Sequence, residues 1–282
     1  MMPMRIDAHQ HFWRIADEGR SWPSPGLGAL YRDFLPPDLA PLLARHGIER
    51  TLLVQSLPDE DDTQFMLDLA WRHRFIGGVV GWVDMKGADA PQRIAALACD
   101  PLLKGLRPML QDLDDDAWID DAALAPAVQA MLDHALVFDA LVLPRHLEAL
   151  LRFAERFPAL PVVIDHGAKP GIRADGLADG LTTWRRGLAR LAALPSVHCK
   201  LSGLVTEAGP GWRIEDLRPC VDCILALFGP ERVIWGSDWP VLHLAADYAA
   251  WIAASEALLD GLDYAARGAI FGGNAQRLYR ID

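Results

Sequence analysis

Two imidazoles stand two residues apart near the start of the chain, in Asp7-Ala8-His9-Gln10-His11. Side chains alternate along an extended strand, so Asp7, His9 and His11 are expected on one face. Imidazoles so spaced can converge on a metal ion or supply paired donors to an oxyanion. A further histidine stands at the end of the apolar run Val162-Val163-Ile164-Asp165-His166-Gly167, with Asp165 expected to point the other way and to orient another group. A carboxylate, Asp238, follows the buried-looking run Val233-Ile234-Trp235-Gly236-Ser237 and precedes Trp239-Pro240. An ionised carboxylate beside imidazoles suits a base acting on water, or a metal ligand. Lys200 and Ser202 share a face of Val197–Ser202, while His198 lies deeper and is read as structural. Arg107, inside the apolar stretch Lys104–Met109, needs a carboxylate or a substrate as partner.

These residues all lie on candidate strands. The runs Arg5–His11, Arg50–Gln55, Ile76–Val83, Lys104–Met109, Leu136–Leu141, Val162–His166, Val197–Ser202 and Arg232–Ser237 are short and rich in β-formers. Between them, stretches such as RHLEALLRFAERF place apolar residues three and four apart, as on a helix face. Eight strand–helix units without a linker predict one (β/α)8 TIM barrel over residues 1–282, α/β in class and distorted in detail. An open doubly wound sheet is the alternative, but no GxGxxG follows the first strand. Polar groups at strand C-termini then meet at the barrel mouth, where barrel enzymes hold their sites. The longest connection, Phe12 to about Leu35, is expected to form a lid or site wall there.

Composition narrows the function. The 282 residues are 51% hydrophobic and 23% charged, and the formal charge is −11. No cluster of Lys and Arg could hold a polyanion, so no nucleic-acid partner is expected. No run approaches about 18 apolar residues, and the first residues carry no secretion signal, so no membrane partner and a cytoplasmic location are expected. The four cysteines form no disulfide framework. Cys220 and Cys223 read as an i, i+3 pair near a helix core, not as a redox or zinc motif.

The set D-x-H-x-H, DHG and GSDWP is specific when taken together. With RDFLPPDL, VVGWVD, LKGLRPMLQD, DHGAKP and KLSGLVTEA, it resembles the amidohydrolase superfamily over nearly the whole chain. The resemblance is to the branch of sugar lactonases, L-fuconolactonase- and L-rhamnonolactonase-like, which also holds pyrone-dicarboxylate hydrolases. It implies hydrolysis of L-fucono-lactone, or a similar aldono-lactone, to the aldonic acid. His9, His11 and His166 match the family's strand-end histidines, and Asp238 the eighth-strand carboxylate. In this reading Asp238 is the general base and the three histidines polarise the carbonyl. If a divalent ion (zinc or manganese) is bound, the same four residues hold it; members of the branch also work without metal. Arg107 stands where relatives carry a bridging lysine or glutamate, which argues against a binuclear centre.

Arg107 and Lys200 are candidates for the lactone carbonyl or hydroxyls, and Glu207, with Asp139 as a weaker candidate, for hydroxyl contacts. Trp13 and Trp82 are candidates to pack on a sugar face. An acidic protein with a carboxylate near its pocket favours a neutral polyol lactone over an anionic pyrone. The expected partner is therefore a small sugar lactone, with a homo-oligomer left open. The rivals are a metal-dependent amide hydrolase or decarboxylase of the same fold, silenced by chelation, and a non-catalytic barrel that binds a sugar acid and is stabilised by it without turnover.

Overall fold

The computed structural model describes residues 4–16, 21–172 and 177–282. Strands β1 (Ile6–Gln10), β2 (Arg50–Val54), β3 (Ile76–Gly81), β4 (Leu103–Leu106), β5 (Val137–Ala140), β6 (Val162–Ile164), β7 (Val197–Leu201) and β8 (Val233–Trp235) pair in parallel, each with the next. A bridge from Gln10 to Trp239 closes the ring, with His11 N–H donating to the Trp239 carbonyl at 2.7 Å. Helices cover the outside: α1 (Pro36–His46), α2 (Glu60–Arg72), α3 (Ala90–Leu97), α4 (Ala125–Asp133), α5 (Leu147–Arg156), α6 (Leu177–Ala192), α7 (Leu204–Ala208), α8 (Ile214–Phe228), α9 (Tyr248–Leu258), α10 (Tyr264–Gly268) and α11 (Asn274–Tyr279). The expected (β/α)8 barrel is the fold. All eight candidate strands form, and most end a residue or more early because their last residues turn into the mouth loops.

Two apolar layers hold the barrel. The larger lies between strands and helices. The smaller fills the barrel itself with Ile6, Ala8, Leu52, Val54, Val80, Val137, Val163 and Ile234. Ala275, Tyr279 and Ile281 belong to this inner cluster, so the C-terminal segment plugs the end of the barrel away from the mouth. Cys220 and Cys223 are buried on α8, and burial pushes the Cys220 thiol up to about 12. That leaves it an inert core residue, as its spacing suggests.

The described part of the connection after β1, residues 11–16 and 21–35, forms a braced wall, and residues 17–20 lie outside the described residues. Trp13 bridges to Phe34, donates its indole N–H to the Arg32 carbonyl at 2.8 Å, and meets Trp22 edge-on at 4.9 Å. No helix among the described residues is long and apolar enough to cross a membrane.

His198 lies half-buried on β7, its Nδ1 3.4 Å from the Ser196 carbonyl. Burial lowers it from 6.5 to about 4, although the Ser196 carbonyl opposes the shift. The side chain stays neutral when folded and takes a proton on unfolding below 6.5. Its contribution to stability is therefore lost as pH falls from about 6.5 towards 4. His198→Asn should flatten the decline of the urea midpoint across that window; an unchanged slope would contradict the assignment.

Candidate active site

A fault in β1 builds the site. Ile6 and Ala8 face the barrel interior, so strict alternation would send His9 and His11 outward. Pairing with β2 shifts between Asp7 and Gln10, and this irregularity reverses the parity. Both imidazoles then turn inward, while Asp7 faces the helices. There it accepts from Tyr248 Oη at 2.9 Å and from Ser237 N–H at 2.8 Å. The expectation that Asp7 shares their face is corrected by this bulge, and Asp7 is a buried structural acceptor.

β8 crosses His9 closely. A Cβ on Gly236 would stand 2.7 Å from His9 Cβ and 3.0 Å from its backbone nitrogen, so only glycine fits. Two residues on, Asp238 adopts left-handed backbone at φ 60 and turns its carboxylate into the mouth. Its Oδ1 lies 3.4 Å from His11 Nε2, 3.7 Å from His9 Nε2 and 3.9 Å from His166 Nε2. Burial works against the ionised carboxyl, but His166 and His11 outweigh it and hold Asp238 below the usual carboxylate range.

The turn after β6 is equally bent. His166, Gly167, Ala168 and Lys169 all have positive φ, between 48 and 60. Non-glycine residues held there store strain of a kind that clusters at functional sites. The bend lets two successive side chains face the barrel, which corrects the expectation that Asp165 points away from His166. His166 sets its Nδ1 2.9 Å from Ser202 Oγ and presents its other edge to the cavity. Gly203 supports it from beneath, with φ +66 and a would-be Cβ only 2.6 Å from His166 Nδ1. Gly203→Ala should cost about 1–2 kcal/mol in backbone strain alone. It should also push the imidazole aside and lower kcat at least about tenfold. Urea melts and kinetics on one preparation test this; wild-type kcat would show that His166 placement does not matter.

A buried ionic chain runs below the cavity floor. Tyr279 donates to Asp139 Oδ1 at 2.7 Å, Asp139 pairs with Lys200, and Lys200 Nζ lies 3.1 Å from Asp165 Oδ1. Asp165 Oδ2 is 3.4 Å from Arg107 Nη1, and Arg107 also donates to the Gln55 carbonyl. Two carboxylates and two cations offset one another where either sign alone would be prohibitive. Burial raises Asp165, yet Lys200, His9 and Arg107 overrule it and hold it well below 3.8.

His9 belongs to this floor. It is fully buried and does not line the cavity. Its Nδ1 faces Asp165 Oδ1 at 3.4 Å and Lys200 Nζ at 3.3 Å. Its Nε2 lies 3.3 Å from Arg107 Nη1, and since a guanidinium can only donate, Nε2 is the acceptor. Burial keeps the ring neutral, well below 6.5. As arranged, His9 has no N–H to offer a substrate, and Arg107 stands in front of it.

The cavity occupies about 630 Å³ and is lined at its polar end by His11, Arg107, His166, Lys169, Asp238 and Gln111. Trp82 lines it. Lys200 does not: it is fully buried between Asp139 and Asp165, beneath the reach of a ligand, and Asp139 lies there with it. Trp13 is also buried, behind Trp22, and braces the wall without lining it. Glu207 is half-buried on α7 and does not line the cavity; burial pushes it up, against the pull of Lys169. Sequence reasoning missed Lys169, whose Nζ donates to Gln111 Oε1 at 2.7 Å. It follows the DHG motif by two residues on a mouth loop, which was the available signal.

A tetrahedral ion with bonds of about 2.0–2.1 Å needs donors roughly 3.3–3.4 Å apart. The 3.4–3.9 Å spacings around Asp238 Oδ1 come close to that. His11 Nδ1 lies 2.8 Å from the Val54 carbonyl, which fixes the tautomer and leaves Nε2 free as a ligand. Among the described residues His9, His11 and Asp238 offer ligand atoms within 4.8 Å of one another and fit one divalent ion, with His9 reached only if Arg107 gives way; His166 groups instead with His9 and Asp165.

The amidohydrolase family profile matches residues 6–281. An L-fucono-1,5-lactonase of Burkholderia ambifaria is 56% identical, across 100% of this chain and 97% of its own. A second L-fucono-1,5-lactonase, from Burkholderia multivorans, is 40% identical with the same coverage. The crystal structure of an amidohydrolase from Burkholderia multivorans with bound zinc superposes with a TM-score of 0.91 at 39% identity, covering 99% of this chain and 100% of that one. Because the family match runs from β1 to beyond α11, it takes in the whole barrel, and the chain belongs to the amidohydrolase family.

Proposed function

We propose that this protein hydrolyses a neutral sugar lactone, L-fucono-1,5-lactone or a close aldono-lactone, to its aldonic acid. The observation that carries the reading is one ionised carboxylate, Asp238, set in a cavity floor among His11, His166 and Arg107. The 56% identical L-fucono-1,5-lactonase supports the choice of sugar. Asp238 takes a proton from water as the water oxygen attacks the lactone carbonyl. The carbonyl oxygen gains the negative charge, facing Arg107 and His166. Collapse of the tetrahedral species breaks the ring C–O bond, and Asp238 returns its proton to the leaving alkoxide. Trp82 supplies an apolar face to the ring, and Lys169, oriented by Gln111, a donor to its hydroxyls.

A divalent ion, if held by His9, His11 and Asp238 with His166 beside it, would polarise the carbonyl and acidify water. Without the ion, Asp238 and His166 face the reacting carbon and the floor keeps Arg107 in place; with it, Arg107 would have to leave His9 Nε2. A cytoplasmic sugar-catabolic role goes with this reading.

The test is proton NMR of fresh L-fucono-1,5-lactone with chelator-treated and zinc-loaded protein, beside pyrone-4,6-dicarboxylate. Rapid conversion of the sugar lactone and inertness of the pyrone are expected. Pyrone hydrolysis without sugar-lactone hydrolysis would overturn the assignment.

A further inference from the structure

The cavity is much larger than its polar end. A sugar lactone has about a dozen non-hydrogen atoms, whereas cavities of roughly 300–1,000 Å³ hold drug-sized molecules. The 630 Å³ here is lined beyond the polar end by Leu27, Met85, Trp118, Val241 and Leu244 from several mouth loops, with Asp84 and Asp112 also at its edge. The aliphatic ones among them give no hydrogen bond to a polyol, and Trp118 offers one N–H and a large apolar face. Leu244 lines the cavity and is 37% exposed, so part of its side chain is open to solvent.

This wall is braced. Trp118 lies under Lys86 Nζ, 4.7 Å from its ring centroid, and Lys86 is fixed by Asp121 at 2.7 Å. Opposite, Trp22 is wedged edge-on against Trp13. Such an apolar compartment, contiguous with a hydrolytic centre, recognises an apolar group on the substrate by area removed from water.

We propose that the same site hydrolyses a second class of lactone: six-membered lactones whose oxygen-bearing ring carbon carries an alkyl chain. This rests on the lactonase reading and widens its substrate class. The reaction is balanced as before: water adds its oxygen to the acyl carbon, the acyl C–O bond breaks, and a hydroxy acid leaves with the chain still attached. The carbonyl sits over Asp238 and Arg107, and the chain packs against the apolar part of the lining, which includes Trp118 and Leu244.

The experiment measures kcat/KM for δ-valero-, δ-hexano-, δ-octano- and δ-decanolactone, each divided by its spontaneous hydrolysis rate. Burial of a methylene predicts a rise of about two- to fourfold per carbon, so δ-decanolactone should exceed δ-hexanolactone by at least about tenfold. Leu244→Asp and Trp118→Ala should flatten that slope and leave L-fucono-1,5-lactone hydrolysis unchanged. Values flat or falling with chain length, with the sugar lactone still turned over, overturn the proposal; so does a slope both variants leave intact. Alkyl lactones hydrolysed without the sugar lactone would keep this proposal and remove the sugar assignment. A folded protein inert to both classes would end the lactonase reading and this one with it.

Discussion

Asp238→Asn lowers kcat on L-fucono-1,5-lactone by about a thousandfold or more and moves KM by no more than a few fold. The change keeps the shape of the side chain and removes its basicity, and general base catalysis is worth about 10²–10⁴ in rate. Asp238 meets three imidazole edges within 3.9 Å, so no other carboxylate can take over without moving the floor. Folding should survive, because the backbone N–H of Asp238, which donates to the His9 carbonyl at 2.8 Å, is untouched. Steady-state kinetics beside a thermal melt check this. A variant that folds and keeps more than a tenth of kcat would show that the base lies elsewhere. The wild type carries its own pH signature. Since Asp238 lies below the usual carboxylate range, its activity should persist into mild acid and fail only as pH drops through that lowered value.

The second large effect concerns Arg107. Arg107→Lys keeps the charge and loses the fork, since a single ammonium cannot meet the Gln55 carbonyl, Asp165 and His9 together. A displaced donor to a developing oxyanion costs about 10²–10³ in kcat. Arg107→Met should do the same and also destabilise the fold, because Asp165 would lose one of two cations in a buried site. The diagnostic is a kcat loss in Arg107→Lys with near-native stability. Loss confined to KM would make Arg107 a ground-state contact only.

The barrel was legible because eight β-rich runs separate helices of clear 3.6-residue periodicity, and that pattern does not depend on tertiary detail. Asp238 and His166 were legible as polar groups that interrupt apolar strands near their C-termini. What escaped was governed by backbone geometry. The bulge in β1 reverses parity after Ala8, which sends Asp7 to the helices and His9 to the floor. The left-handed run from His166 to Lys169 brings Asp165 inward and Lys169 to the mouth. Lys200 shows the same limit from another side. Its position near a strand end fits a substrate contact, but Asp139, Asp165 and Tyr279, distant in sequence, enclose it. Burial of that kind is a property of the assembled barrel and leaves no local mark. Trp13 failed for a related reason, since the wall it braces is built from residues up to Phe34.

The most direct measurement is proton release from fresh L-fucono-1,5-lactone, followed with a pH indicator, by wild-type protein and Asp238→Asn, with the metal content of both samples determined. The account predicts rapid release by the wild type far above the spontaneous rate, and release near that rate by the variant at equal metal content. Wild-type protein no faster than spontaneous hydrolysis, with or without zinc, or a variant as fast as wild type, would contradict it.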